Sequence, residues 1–257
     1  MGTRHAAVTY LNGRRSAGPM YRSIVAIDLE GSTLRTNPVK GELRRVMYDL
    51  LGRALAAAEI SDDYLERLTD RGDGILVLIR PHDDVPKTVL LDRLIPRLTA
   101  LLIEYNARVT QPALRMRLRT VVHAGEVHGD RRGYYGEAID IAIRLLDSAP
   151  VKKALNQTTS PLVLVISEEI HSGIVLQGYV TGGTYQPIVR VRVANKQRRG
   201  WVHVPGSDEL RAASSPAKPS ARARTPVSIG RAGVTRLNRP MQRRSPVPAT
   251  LEASIGV

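Results

Sequence analysis

The chain has no cysteine among its 257 residues. Disulfides, thiolate metal sites and cysteine nucleophiles are therefore excluded, and the absence is compatible with a reducing cytoplasm. No stretch reaches the roughly 18 unbroken apolar residues of a membrane span, and the opening MGTRHAAVTYLNGRRSAG holds no apolar core of signal-peptide length. The expectation is a soluble cytoplasmic protein without membrane contact.

Several signatures of nucleotide and metal chemistry are missing as well. DLEG fits the Asp-x-x-Gly of GTPases, but no G-x-x-x-x-G-K-[ST] phosphate loop occurs. No G-x-G-x-x-G follows a strand, which removes a dinucleotide fold. His-Glu-x-x-His is absent, and the six histidines make no metal-ligand spacing. His123, at the end of an apolar run, reads as a satisfied structural histidine. There is no internal repeat.

What is present is enough apolar material, 42% of residues, for one substantial core. The net charge is +14, yet from Gly206 onward nine Lys or Arg stand against three acidic residues, so a large part of the excess belongs to a tail. That tail, rich in Pro, Ser, Arg and Ala, has almost no apolar periodicity and is expected to be disordered. It reads as a solvated extension or as a basic arm for nucleic acid, acidic lipid or an acidic partner; no aromatic residue interleaves its arginines, which weakens a stacking mode. The expected organisation is a flexible segment at 1–19, a domain at 20–205 and the basic tail at 206–257.

Within the domain, strands and helices alternate. SIVAID is a short buried strand. VKGELRRVMYDLLGRALAAA carries a helical stripe at Val39, Leu43, Val46, Met47, Leu50 and Ala54. YLERLTDRGDGILVLIR sets two extended runs around a tight turn. PKTVLLDRLIPRLTALLIEYNA is a long helical pattern in which Pro96 predicts a kink or break. LRMRLRTVVHAGEVH enters a core as a strand, YYGEAIDIAIRLLDSA is helical, PLVLVIS is a strand, and PIVRVRVA with GWVHVP forms a closing hairpin. Mixed α and β on one central sheet follows, an α+β or α/β layer architecture.

Two carboxylates stand where chemistry is expected. Asp28 ends the first strand and Asp73 sits in the hairpin turn. Such a pair could share divalent ions, because Mg²⁺ takes one or two protein carboxylates and completes its octahedron with water and phosphate oxygens. Asp-Gly is also ordinary turn chemistry at Asp73, whereas an acid ending a buried strand needs a partner at Asp28. Asp140 and Arg144, four apart, share a helix face and could be a simple solvent-facing ion pair.

Taken together, IDLEGST, DRGDGILVLI and LRTVVHAGEVHGDRRGYYGEAIDIAIRLLD resemble the successive motifs of the class III nucleotidyl cyclases, especially bacterial members whose first motif reads Asp-Ile-Glu-Gly-Ser-Thr. The resemblance runs from about Tyr21 to Asp147 and continues more weakly to about Pro205. It implies a ferredoxin-like α+β catalytic domain with a central, mostly antiparallel sheet. It further implies two Mg²⁺ or Mn²⁺ ions at Asp28 and Asp73, with the Leu29 carbonyl as an extra ligand, and a nucleoside triphosphate whose ribose 3′-oxygen attacks the α-phosphorus. Arg144 matches the transition-state arginine, and Asp140 falls where an asparagine usually orients the ribose. The family's sites lie at a head-to-tail dimer interface, so a homodimer is implied.

The departures concern the base. Thr69 stands where adenine-specific members carry a lysine, and Gly133 falls near their base-reading aspartate; Asp70 and Arg71 offer other donors and acceptors. A cyclase with altered base choice, including a pyrimidine, as in the cyclases of this class that serve bacterial anti-phage signalling, is one reading. A purine cyclase with different base contacts is a second, and a cyclase fold that has lost catalysis and serves as a nucleotide-responsive module is a third. Lys196, Arg198 and Arg199 precede the last expected strand, where the family often places a triphosphate-binding residue; taken singly, each reads rather as a solvated loop charge.

Overall fold

The computed structural model describes residues 18–206. Nearly all of the expected N-terminal segment, and all of the expected tail beyond Gly206, lie outside the described residues. In chain order the elements are β1 (Met20–Leu29), α1 (Asn37–Ala57), β2 (Thr69–Asp70), β3 (Gly74–Ile79), α2 (Lys87–Val89), α3 (Ile95–Arg108), β4 (Leu118–Asp130), β5 (Gly133–Tyr135), α4 (Glu137–Leu146), α5 (Ala149–Asn156), β6 (Leu162–Ser167), α6 (Glu168–Ile170), β7 (Gln186–Val193) and β8 (Lys196–His203). The strands form one sheet in the order β2-β3-β1-β4-β6-β8-β7, with β5 added to the end of β4. β4 and β6 run parallel; the other paired neighbours are antiparallel.

The short apolar runs read as buried strands because the sheet is covered on both faces. Along β1, Val25, Ile27 and Leu29 pack under α1 and α3, while Ile24 and Ala26 pack against α4 and α5. With side chains alternating between faces, both layers demand apolar residues and no polar alternation remains. The α1 stripe is buried at Leu43, Val46, Met47, Leu50 and Ala54. Each buried Leu contributes about 2 kcal/mol, against a few tenths for an exposed helical ion pair, so packing and not charge seats the helix. Among the described residues no helix is long and apolar enough to cross a membrane.

Three local expectations are corrected. Of the kink or break expected at Pro96, the break does not occur: α2 leads through a π turn at Leu90–Leu94, an irregularity just before the proline, directly into α3, with Pro96 in the first turn of α3. The wider turn accommodates a residue that has no N–H and whose ring crowds the preceding turn. The helix expected from Tyr134 starts only at Glu137, because Tyr134 and Tyr135 pair with Gly129 and His128 in a hairpin and Gly136, at φ 135°, separates strand from helix. Lys196, Arg198 and Arg199 lie inside β8, not in a loop before it. The β7–β8 turn is only two residues, Ala194 and Asn195, both at positive φ, which matches the twist of the flanking strands.

Candidate active site

Asp28 stands opposite Gly74 on β3 and Arg119 on β4, in the middle of the sheet at the end where β1 leaves it. Its partner is Arg119, whose guanidinium donates to the Asp28 carboxylate; the two side chains are 13% and 15% exposed. The acid at the strand end is thus neutralised across the strand pair, as its burial requires. Burial pulls Arg119 below its ordinary value, opposed by the Asp147 carboxylate, and the Arg119 Nε is buried without a hydrogen-bond partner.

Asp73 occupies the β2–β3 turn, tied to the β1 exit twice. Its carbonyl accepts the Leu29 N–H at 3.0 Å, and its carboxylate accepts the Ser32 hydroxyl. Gly74 permits this approach: a Cβ there would lie 2.5 Å from the Ile27 carbonyl oxygen. Asp28, Leu29 and Asp73 therefore line one cleft of about 410 Å³. Arg71, Arg119, Asp147 and Lys152 also line it, so its wall carries both carboxylates and cations.

This donor set fits a hard divalent cation in a particular way. Among the described residues no group of three or more His, Cys, Asp or Glu side chains is gathered to hold a metal. An ion here would rest on two carboxylates and a backbone carbonyl, with water or ligand oxygens completing its sphere, which is how Mg²⁺ is commonly bound beside phosphates. The cations on the same wall suit those phosphates. A larger hollow of about 660 Å³, between the end of α1 and residues 59–68, offers nothing comparable. Its Glu59 is paired with Arg93, and its Glu66 with Arg22 and Arg80.

The remaining expected site residues do not reach this cleft within one chain. Thr69 is half-buried on β2, opposite Leu76. Asp70 is engaged: its Oδ1 accepts Arg44 Nη1 at 2.6 Å and the Gly72 N–H at 2.7 Å. Gly133 closes the β4–β5 hairpin opposite Asp130, roughly 35 Å along β4 from Arg119 at the usual strand rise. Asp140 and Arg144 are exposed on α4, and no ion pair joins them. Arg198 is bound to Glu137, and Arg199 lies 5.0 Å over the Trp201 ring. His123 is 2% exposed, with Nδ1 2.8 Å from Ser167 Oγ and 3.4 Å from Glu169 Oε2. Those contacts satisfy it, and its hydrogen bond holds the Glu169 carboxyl down at about 2.

Arg119 and Ser32 were not singled out by the sequence. In LRMRLRT three arginines alternate with apolar residues, and only the β1–β4 register shows which one enters the cleft. Ser32 reads as a turn residue until the β2–β3 turn is brought over it.

No protein-family model matches the chain, and no curated relative does. Solved structures do match in fold. An adenylate/guanylate cyclase/hydrolase from Silicibacter pomeroyi superposes with a TM-score of 0.53 at 19% identity, covering 74% of this chain and 99% of that one. The guanylyl cyclase Cya2 gives 0.52 at 17% identity, covering 74% and 94%. A bacterial light-regulated adenylyl cyclase gives 0.52 at 12% identity, covering 72% and 52%. The fold is that of a cyclase catalytic domain. At these identities the likeness is one of architecture, and it fits the mixed sheet and the two helical layers described above.

Proposed function

We propose that the chain is a nucleotidyl cyclase that converts a nucleoside triphosphate to a 3′,5′-cyclic nucleotide and pyrophosphate. The observation that carries this is the pairing of Asp28 and Asp73 on one cleft wall beside a largely buried arginine. When bound at Asp28, Asp73 and the Leu29 carbonyl, Mg²⁺ or Mn²⁺ would lower the pKa of the attacking ribose hydroxyl and neutralise charge on the phosphate oxygens.

The chain's own groups have separable tasks. Asp28 would hold the cation, and the Arg119 guanidinium now bound to it, whose fork suits phosphate geometry, would then be free to donate to the triphosphate. Arg71 and Lys152 add positive charge at the cleft wall. Arg144 of a second copy donates to the α-phosphate as charge gathers there, and Asp140 of that copy accepts from a ribose hydroxyl. Asp140 and Arg144 are exposed and do not line the cleft, although Ile143 and Leu146 of the same helix do; a site shared by two copies accounts for that placement. The base is not read by the adenine-specific pair of side chains: Thr69 has no ammonium, Gly133 has no side chain, and Asp70 is already held by Arg44. A pyrimidine triphosphate is therefore among the substrates to test.

The Asp28–Arg119 ion pair also favours a second reading, a nucleotide-responsive module in which that pair never opens and no product forms. The two are separated by incubating the protein with Mn²⁺ or Mg²⁺ and ATP, GTP, CTP or UTP in turn and examining products by mass spectrometry. A cyclic product, lost by at least about 100-fold in Asp73→Asn, establishes the cyclase and names the base. Four silent reactions from folded protein would leave the module.

A further inference from the structure

The two aspartates of the cleft are held by opposite means. Asp28 is bound to a cation that neutralises it. Asp73 is bound to a neutral hydroxyl, Ser32 Oγ, which fixes one carboxylate oxygen and leaves the negative charge intact. Ser32 is only 6% exposed, although it lies on the short 3-10 turn that follows β1 and is flanked by the exposed Gly31 and Thr33. A buried hydroxyl must be paired, and this one is paired to a residue 41 positions away, across the cleft mouth.

We infer that Ser32 is a positioning residue that sets the Asp73 carboxylate for cation binding, an inference that rests on the two-carboxylate reading given above. Asp73 stands in a turn, where strand geometry does not fix its side chain. The backbone bond from Leu29 anchors its carbonyl but leaves its side-chain torsions free. Ser32 supplies the missing constraint. With Oδ2 accepting the hydroxyl, Oδ1 is the oxygen presented to an ion, and the entropy of holding the carboxylate is met before the ion arrives. A cationic donor in the same place would compete for the charge, as Arg119 does at Asp28; a hydroxyl does not. Hydrogen-bond partners of ligating carboxylates affect metal affinity by about 10- to 100-fold, and the same range is expected here.

The test is Mn²⁺ binding to the full chain without nucleotide, followed by the loss of the free-ion electron paramagnetic resonance signal, with thermal melts run in parallel. The chains compared are the parent, Ser32→Ala, Ser32→Thr and Asp73→Asn. Ser32→Ala should weaken Mn²⁺ binding about 10- to 100-fold, while Ser32→Thr, which keeps the hydroxyl, stays near the parent. If Ser32→Ala does not fold, Ser32→Val against Ser32→Thr isolates the hydroxyl at equal side-chain volume. Mn²⁺ binding that needs Asp73 but is as tight in Ser32→Ala as in the parent overturns this inference alone. A parent that binds no Mn²⁺, or binds it equally well as Asp73→Asn, overturns the metal reading and this inference with it. Weakening by Ser32→Ala and Ser32→Thr alike would also overturn it, by showing that packing around residue 32 matters and the hydroxyl does not.

Discussion

A carboxylate at the end of a strand covered on both faces raises an energetic problem before it raises a functional one. Asp28 solves it with Arg119, and neither side chain is more than 15% exposed. Pairs at this depth gain little net stability over apolar replacements, but removing one partner strands the other and costs about 3 kcal/mol or more. Arg119→Ala is therefore expected to lower the unfolding free energy by about 3 kcal/mol, and adding Asp28→Asn should restore part of the loss. Urea unfolding of the two single variants and the double variant closes the cycle. If Arg119→Ala unfolds at the parent's urea midpoint, the pair does not form. Arg119→Lys keeps the charge but not the fork, so it should hold stability better than Arg119→Ala while binding a triphosphate less well than the parent.

Elements distant in sequence are joined by a second buried charge. Glu66, in the segment before β2, accepts Arg22 from β1 at 2.8 Å, Arg80 after β3 at 3.0 Å and the Tyr134 hydroxyl from β5 at 2.7 Å. The Arg80 hydrogen bond leads in holding its carboxyl down from 4.5 to about 2, with Tyr134 and Arg22 adding to it against the cost of burial. A carboxyl lowered on folding contributes stability that is present above its unfolded value and lost as pH falls through its folded value. The melting temperature should accordingly fall between about pH 4.5 and pH 2, and Glu66→Gln should flatten that decline. It should not abolish it, since Glu169 titrates over the same window through His123. An unchanged acid limb in Glu66→Gln would show that the cluster carries no linked stability. This cluster also marks a limit of reading along the chain. β1, β3 and β6 were legible because burial on both faces writes itself as a continuous apolar run. β5 was not: it is three residues long and exists through its register with β4, so its tyrosines read as the start of a helix. The eight-residue α5 was too short to show a convincing period. In the cleft, Asp28 and Asp73 were legible as acids beside turns, while Arg119 and Ser32 are joined to them only through contacts 91 and 41 residues long.

At the scale of the whole molecule, the proposed reading divides a cyclase site between two places on one copy. The aspartate half lies at the end of β1. Asp140 and Arg144 lie exposed on α4, with their helix packed to the sheet through Ile139, Ile141, Ala142 and Leu145 and so unable to turn them inward without giving up that burial. Four buried aliphatic side chains represent several kcal/mol, more than any surface charge would recover by moving. On the proposed reading the halves meet between copies, and a head-to-tail arrangement would give each copy one role in each of two sites. An Asp73→Asn chain and an Arg144→Ala chain, each inactive alone, should recover activity when mixed. Half of randomly paired dimers are mixed, and one of their two sites is intact, so recovery should approach about one quarter of the parent's turnover per chain. Size-exclusion chromatography with light scattering establishes that the chains pair, and labelled subunits establish that they exchange. Recovery near that fraction places the catalytic groups on different copies. No recovery from chains shown to have exchanged would mean that α4 completes the site within its own chain, and that the exposed face carrying Arg144 serves some other contact.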